Sequence, residues 1–275
     1  MLDIATKIGM HNLFTRITSN EVINNFPDYY PISYNINVPL EFDLFKQHYN
    51  KKEDNNIWIV KPFDQARGRG IKLFKNIDDI LLYTNENKQF NFIVQKYIEK
   101  VHTILNKKYE LRYYILVTSL SPLIVYLYEE PVILICTTDY DINNSEDIYG
   151  HVTNYAIQKE HPQFELLLPE NKLTNEQYKK MISEEVYEKL KEDVKVLLSN
   201  MFLLWKIDEE KNNSNRFELL GIDIIVSDEL KPKLVDISYS PSLFPTSELK
   251  QNMIDSLFDL ILKIKNVDMY WKRII

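Results

Sequence analysis

The order of segments along this 275-residue chain predicts a mixed α/β (α+β) fold. Short segments rich in β-branched and aromatic residues dominate between residues 56 and 137, and a long amphipathic helix follows after residue 173. A hairpin and a last helix complete the pattern. Hydrophobic residues make up 45% of the sequence, enough to build the core of one large domain or two small ones.

The first half of the chain is predicted to be mostly β-structure. Residues 1–50 are expected to be irregular, because turn-forming residues recur at 24–27 and at 30–31. Buried strands are expected at 56–61 and 71–74 on either side of a loop. A short amphipathic helix is predicted at 76–83, and further strands at 92–97, 111–118, 123–128 and 132–137.

The second half begins with a polar stretch without periodicity at residues 138–172, which is typical of a functional loop. Thr174 and Gln177 then fit a capping box, and apolar residues at helical spacing predict one helix from there to Met201. The final segments are predicted to be a hairpin of strands 217–226 and 233–237 and a helix that Ser247 caps and that runs to Ile264.

The composition excludes several classes of protein. The chain has 33 Lys and Arg against 40 Asp and Glu, a net charge of −7, so it lacks the overall basic field of a nucleic-acid binder. Cys136 is the single cysteine, which excludes an internal disulfide and a thiolate metal site. Apolar runs fall far short of the ~18 residues of a membrane span, and Asp3 and Lys7 interrupt any signal-peptide pattern. We therefore expect a cytoplasmic protein with neither nucleic-acid nor membrane partners.

The loop after the first predicted strand has the composition of a phosphate-binding loop. Only five glycines occur in the chain, and two of them, Gly68 and Gly70, lie here together with Lys61, Arg67 and Arg69. Glycines allow a ligand to approach the backbone closely, and free N–H groups with cations suit a polyphosphate. The spacing is not that of a P-loop, and a strand follows where a helix would be needed. An exposed basic turn without a ligand is the alternative.

Two aspartates interrupt the apolar strands of the predicted hairpin. Asp223 and Asp236 can lie opposite each other across it, and two carboxylates on one face would repel unless a cation lay between them. Mg²⁺ commonly binds one or two carboxylates and completes its shell with phosphate oxygens and water. Neutralising one of the two is expected to relieve the repulsion in the metal-free protein. The alternative is a pair of edge-strand aspartates that face solvent.

Six short blocks follow one another between about residues 55 and 260. They comprise residues 58–71, 94–98, 109–112, 122–128, 151–154 and 219–242. Their residue types and their order resemble the tubulin tyrosine ligase-like family of the ATP-grasp superfamily. The resemblance implies an ATP-grasp fold with a shortened N-terminal segment (1–50), a central subdomain (51–100) and a C-terminal subdomain with the metal-binding hairpin (101–275).

The same resemblance implies a site for ATP and Mg²⁺. Arg112 and Lys61 would act on the transferring phosphoryl group, and Arg112 and Lys159 would contact substrate. Magnesium would be held by Asp223, Asp236 and Ser238. The residues expected to bind ATP are Lys61, Arg67, Gly68, Gln95, Lys96, Tyr97, Ile98, Lys108, Glu110, Thr153 and Asn154.

The resemblance also implies the activity. A member of this family joins a free amino acid, of the glutamate or glycine type, to a carboxylate of a protein acceptor with exposed glutamates, such as tubulin. ATP first converts the carboxylate into an acyl phosphate, which the amine of the amino acid then attacks.

Four positions depart from the family pattern. Asp236 and Ser238 stand where the family has Glu and Asn, and Glu129 and Leu134 stand where it has two arginines. The second of those arginines commonly helps to hold a carboxylate substrate. Two alternatives therefore remain open: a catalytically degenerate member that binds a nucleotide or a partner, and an ATP-grasp ligase that acts on a small molecule.

Overall fold

The computed structural model of this protein describes residues 3–17, 22–24, 26–50, 56–167, 173–205, 217–243, 248–262 and 269–275. These residues form the mixed α/β fold that the sequence predicts, with antiparallel sheets. The helices of the described residues are α1 (Lys7–Phe14), α2 (Pro39–Tyr49), α3 (Ile77–Glu86), α4 (Ile148–His151), α5 (Tyr155–Gln158), α6 (Phe164–Leu167), α7 (Asn175–Ile182), α8 (Glu184–Leu204) and α9 (Glu248–Leu262). The strands are β1 (Thr15–Ile17), β2 (Val22–Asn24), β3 (Ser33–Asn35), β4 (Trp58–Pro62), β5 (Lys72–Phe74), β6 (Phe92–Lys96), β7 (Thr103–Ile104), β8 (Lys107–Leu120), β9 (Leu123–Tyr128), β10 (Val132–Ile135), β11 (Glu218–Val226), β12 (Pro232–Tyr239) and β13 (Trp271–Arg273).

The larger sheet is organised around β8. Its strands follow the order β12-β11-β8-β9-β13, and β7 and β10 also pair with β8. Tyr113 and Ile115 of β8 pack into the main core beneath α8, whereas Tyr114 and Leu116 pack on the opposite face beneath α9. Because both faces are covered, β8 is a nearly continuous run of buried residues rather than an alternating one.

A second sheet, called the smaller sheet below, has the strand order β3-β6-β4-β5, and β1 and β2 form a separate two-stranded sheet. Phe45 of α2 and Ile80 of α3 cover Trp58 of this sheet, and all three side chains are fully buried. Strand β3 belongs to the N-terminal segment, and it pairs with β6 of the central segment.

The prediction that residues 1–50 are irregular is wrong. Thr6 caps α1 by accepting a hydrogen bond from the Gly9 N–H, and Pro39 occupies the first turn of α2. Both helices are short, so their stability comes from tertiary packing more than from their own sequence. Met10 and Phe14 accordingly belong to the main core.

The predicted long helix is interrupted at Ser183. The capping box of Thr174 and Gln177 is confirmed, but it starts α7, and Ser183 adopts a left-handed φ of 71° before α8 begins. The Ser183 hydroxyl caps α8 by accepting from the Val186 N–H. A single serine at this position therefore divides an otherwise continuous amphipathic pattern.

The predicted hairpin is confirmed, since β11 and β12 pair in antiparallel fashion. The polar stretch 138–172 contains α4, α5 and α6 where no periodicity was expected. The cap at Ser247 and the end of the helix at Ile264 lie outside the described residues. Leu249, Met253 and Leu257 of α9 do face a core, as predicted. None of the helices in the described ranges is both long enough and apolar enough to cross a membrane.

Helix α8 offers a matched test of this packing. Leu198 is fully buried, whereas Val196, two residues earlier, is 52% exposed. Leu198→Ala should lower the free energy of unfolding by about 3 kcal/mol through lost packing and a cavity, and Val196→Ala should change it by less than about 0.5 kcal/mol. Urea denaturation measures both. Equal losses for the two variants would contradict the orientation of α8.

Candidate functional site

Three charged residues alternate along β8 at the junction of the two sheets. Side chains two residues apart in a strand share a face, so Lys108, Glu110 and Arg112 project to the same side. Across the sheet, Arg112 is opposite Asp223 of β11, and Leu134 of β10 is opposite Glu110. The pairing thus gathers residues from three separate parts of the sequence.

Arg112 and Asp223 form a two-pronged ion pair. The Nε and Nη2 groups of Arg112 donate to the two carboxylate oxygens of Asp223 at 2.7 and 2.6 Å. The adjacent carboxylate raises the pKa of Arg112 further above its ordinary range. Asp223 is nearly buried and is compensated by this cation. Arg112 therefore opposes the repulsion that the sequence predicts between Asp223 and Asp236, although the charge of Asp223 still raises the pKa of Asp236.

Asp236 lies directly across the β11–β12 pair from Asp223. Burial raises its pKa, and Asp223 acts in the same direction, while Lys7 and Lys61 oppose the shift. Ser238 is two residues further along the same face, and its hydroxyl donates to the Gly221 carbonyl at 3.3 Å. Of the three predicted magnesium residues, Asp236 is the one whose side chain forms no hydrogen bond within the described part of the chain.

Lys61 joins the smaller sheet to the larger one. Its ammonium group donates to Gln95 Oε1 at 2.7 Å and to the Val235 carbonyl at 3.1 Å. Burial lowers the pKa of Lys61 to about 8, although the charge of Asp236 partly opposes this. The predicted phosphate-binding lysine is therefore a buried cation held by two neutral oxygens, and an anionic ligand would stabilise its charge.

Lys108 is held by a chain of hydrogen bonds. Its ammonium group donates to the Tyr97 hydroxyl at 3.0 Å and to the His151 carbonyl at 2.8 Å. Tyr97 donates in turn to His151 Nδ1 at 2.9 Å, and His151 Nε2 donates to the Asn144 carbonyl at 3.0 Å. Burial, reinforced by the charge of Lys108, lowers the pKa of His151. The histidine is therefore neutral at pH 7, and it orients the tyrosine.

Sequence reasoning missed Lys7. Its ammonium group donates to the Gln65 carbonyl in the loop between β4 and β5 at 2.7 Å. Its charge lowers the pKa values of Asp236 and Lys61, so it belongs to the same electrostatic cluster. Thr6 before a helical segment is the only local signal, and it indicates a helix start rather than a binding residue.

The predicted adenine-binding residues in β6 and in the segment that follows it have different surroundings. Gln95 contacts Lys61, whereas Lys96 lies 3.6 Å from Glu99 and over the ring of Trp58. Ile98 packs in a small apolar cluster with Val101, Ile225 and Val235, at the edge where the two sheets meet. Val101, Ile225 and Val235 are buried, and Ile98 is the partly exposed member of this cluster.

The glycine loop is folded onto α5. Arg67 and Gly68 have φ values of 62° and 75°, and a Cβ atom on Gly68 would lie 2.5 Å from Ile157 Cδ1. Only glycine fits so close an approach without displacing Ile157. A cavity of about 310 Å³ between this loop and α4–α5 is lined by Arg67, Arg69, Lys159 and Glu160 among others. Asn154 is used as the N-cap of α5 through the Ala156 N–H.

The donor set fits a polyphosphate with a divalent cation. The Thr153 hydroxyl is buried and lies beside Glu110, where it opposes the rise that burial causes in the pKa of that carboxyl. Within those ranges no group of three or more His, Cys, Asp or Glu side chains is close enough to hold a metal by itself. The carboxylates of Asp223 and Asp236 and the hydroxyl of Ser238 are oxygen ligands of the kind that Mg²⁺ binds. Lysines surround them, and phosphate oxygens would complete the coordination shell of the ion.

The two positions where the family arginines are absent have different surroundings. Glu129 lies 3.8 Å from Lys191 and 3.9 Å from Lys272, so it is paired with cations of α8 and β13 and does not face the site. Leu134 lies beside Glu110 in the register of β8 and β10. Only Leu134 therefore changes the surface of the candidate site.

The seven-stranded and four-stranded antiparallel sheets, with a charged site at their junction, form an ATP-grasp-like fold. Residues 6–271 match the family model described as the tubulin-tyrosine ligase family, and the chain belongs to that family.

Curated relatives of this chain are named as enzymes that modify tubulin. Tubulin glycylase 3D of Tetrahymena thermophila is 31% identical over 224 residues, covering 78% of this chain and 22% of the relative. Tubulin polyglutamylase ttll6 of Danio rerio is 32% identical over 272 residues, covering 90% and 34% respectively. Probable tubulin polyglutamylase TTLL2 of Mus musculus is 29% identical, covering 82% and 43%. The chain spans less than half the length of these relatives.

The Arg112–Asp223 pair predicts the effect of neutralising Asp223. Asp223→Asn should lower the free energy of unfolding by about 2 kcal/mol, because the guanidinium then loses its charged partner in a partly buried place. Adding Arg112→Met in the same chain should recover part of this loss. Chemical denaturation without metal or nucleotide measures both effects. A more stable Asp223→Asn protein would instead mean that carboxylate repulsion dominates.

His151 predicts a pH dependence of stability. Because its pKa is lowered in the folded protein from 6.5, the unfolded chain binds the proton more readily, and stability falls as pH drops below about 6.5. His151→Gln should lose less stability than the parent between pH 7 and pH 5. The difference can reach roughly 1.4 kcal/mol per pH unit. Identical pH profiles for the two proteins would show that His151 is not held neutral.

Proposed function

We propose that this chain is an ATP- and Mg²⁺-dependent ligase that adds an amino acid, of the glutamate or glycine type, to a side-chain carboxylate of a protein. The observation that carries the proposal is the cluster of Lys7, Lys61 and Lys108 around the carboxylates of β8, β11 and β12. Such a concentration of buried charge suits phosphoryl transfer, where the protein contributes position and charge stabilisation.

Each charged residue has a separate task in this proposal. Lys61, Lys7 and Lys108 bind the phosphate oxygens of ATP, and the apolar cluster at Ile98 receives the adenine. Asp223 and Asp236 hold Mg²⁺, which offsets the negative charge of the phosphates. Arg112, whose guanidinium extends from β8 to Asp223, is proposed to stabilise the transferring phosphoryl group.

The proposed ligation reaction has two steps. A carboxylate oxygen of the acceptor attacks the γ-phosphorus, the bond from that phosphorus to the bridging oxygen breaks, and ADP leaves. The amine of the incoming amino acid then attacks the carbonyl carbon of the acyl phosphate. Inorganic phosphate leaves, the nitrogen loses a proton, and an amide remains. No side-chain nucleophile is required.

The acceptor is proposed to be a protein with exposed glutamates, and tubulin is the first candidate because the relatives are named for it. An enzyme with this acceptor would work in the cytoplasm, in association with the cytoskeleton. Lys159 lines the cavity beneath the glycine loop and is the proposed contact for the carboxylate of the free amino acid.

A non-catalytic, nucleotide-binding protein is the second candidate. One observation favours it: Leu134 provides no cation beside Glu110. The chain can be incubated with Mg·ATP, a panel of amino acids and a tubulin-tail peptide, while ADP release and peptide mass are followed. A mass gain equal to one amino acid residue supports the ligase, whereas nucleotide binding without it supports the second candidate.

Nucleotide binding itself is tested at Lys61. Mg·ATP at ~100 times its dissociation constant should stabilise the parent protein by roughly 2.7 kcal/mol. Lys61→Ala should abolish most of the resulting thermal shift, because the phosphates lose a buried cation. Lys72→Ala is the matched control, since Lys72 is an exposed lysine on the neighbouring strand β5. If millimolar Mg·ATP does not shift the melting temperature of the parent protein, both candidates fail.

Substrate selectivity is tested at Leu134. We expect weak activity on a tubulin-tail peptide, because a carboxylate in a partly desolvated site needs a cation and is best held by a guanidinium. Leu134→Arg should raise that activity, whereas Leu134→Met, which has a similar size and no charge, should not. Initial rates at limiting peptide and at limiting amino acid distinguish which of the two substrates is affected. Efficient modification by the parent chain, unchanged in Leu134→Arg, would contradict this role.

A further inference from the structure

A buried polar network connects three elements of the N-terminal segment. His11 Nε2 lies 2.8 Å from Glu41 Oε2, and His11 Nδ1 lies 2.9 Å from Ser33 Oγ. All three side chains are fully buried. The same Glu41 oxygen also accepts from the Asn35 N–H at 2.7 Å. The network therefore ties α1 to β3 and to α2.

Packing alone does not require this network. Burying an imidazole and a carboxylate has a desolvation cost that their mutual attraction seldom exceeds by much, and apolar residues of similar size are often as stabilising. The second oxygen of Glu41 has no hydrogen-bond partner among the described residues. Such a pair contributes little to stability but restricts the geometry, because breaking it leaves an uncompensated buried group.

Helix α1 links this network to the candidate site. Lys7 and His11 are four residues apart and so lie one helical turn apart on the same face. His11 is anchored in the buried network, while the Lys7 ammonium group reaches the Gln65 carbonyl of the glycine loop. An eight-residue helix depends on its tertiary contacts for its position. The rotation of α1 about its axis therefore determines the position of the Lys7 ammonium group.

We propose that His11 and Glu41 are positioning residues that direct Lys7 into the nucleotide site. The proposal rests on the proposed function insofar as it assigns Lys7 to the phosphates of ATP. His11 and Glu41 do not touch the ligand. They act by fixing the orientation of the helix that carries Lys7, and the Ser33 hydroxyl completes the anchor.

A double-mutant cycle tests this role in the intact chain. Lys7→Met and His11→Gln should each weaken Mg·ATP binding about tenfold, the loss expected for one charge-assisted hydrogen bond. The double variant should bind no more weakly than Lys7→Met alone, because His11 acts through Lys7. Independent, multiplying losses in isothermal titration would overturn the proposal.

Glu41 provides the conservative comparison. Glu41→Gln retains an oxygen that can accept from His11 Nε2 and should largely preserve nucleotide affinity, whereas Glu41→Leu should reduce it as His11→Gln does. Equal affinities in the two Glu41 variants would overturn the proposal. If Glu41→Leu does not fold, Ser33→Ala replaces it and should give a smaller loss in the same direction. This variant removes the bond to His11 Nδ1 and the longer contact of the Ser33 hydroxyl with the Tyr30 hydroxyl at 3.4 Å, and it leaves the His11–Glu41 pair in place.

A readout without nucleotide separates this proposal from the proposed function. Reductive methylation of lysines, followed residue by residue by mass spectrometry, should proceed several-fold faster at Lys7 in His11→Gln than in the parent, because the ammonium group leaves Gln65. Lys72 should react at an unchanged rate. A changed Lys7 rate in a protein that binds no ATP would uphold the positioning role and refute the proposed function. An unchanged Lys7 rate in the folded variant would refute the positioning role.

Discussion

The two-pronged ion pair between Arg112 and Asp223 is the interaction on which the candidate site depends. It joins the two central strands of the larger sheet at the point where Glu110 and Asp236 also bring negative charge close together. Without the guanidinium, three carboxylates would lie in a poorly hydrated region with only lysines at a distance to oppose them. This ion pair thus compensates part of the negative charge that β8, β11 and β12 bring into the site.

The lysines of the site are held in a different way. Lys61 and Lys108 are buried and donate to neutral oxygens, and no carboxylate in the described residues forms a direct ion pair with either of them. Burial lowers the pKa of both. An anionic ligand stabilises the charged form of such a buried lysine strongly, because no carboxylate of the protein pairs with it directly. The proposal of polyphosphate binding therefore rests on the burial of these lysines as well as on their residue type.

The departures from the family pattern are unequal in their physical consequences. Glu129 forms ion pairs with Lys191 of α8 and Lys272 of β13. The replacement of a family arginine by this acidic residue therefore does not change the charge of the site. Leu134 removes a cation from the face that carries Glu110, and Ser238 uses its hydroxyl within the hairpin. Leu134 is therefore the departure from the family pattern that changes the charge of the candidate site, while Lys61 and Lys108 are retained there.

The sequence by itself determined the fold class, the hairpin with its two aspartates, the glycine loop and the family, because each is encoded in local pattern or in an ordered set of short motifs. It did not determine the helices of residues 1–50 or the break at Ser183, since both depend on packing and on a single backbone conformation. The pairing of Asp223 with Arg112 and the hydrogen bond from Lys7 to the Gln65 carbonyl were likewise decided only in the tertiary structure. Each joins segments that are more than fifty residues apart, and no local pattern records which charges will meet when strands and helices assemble.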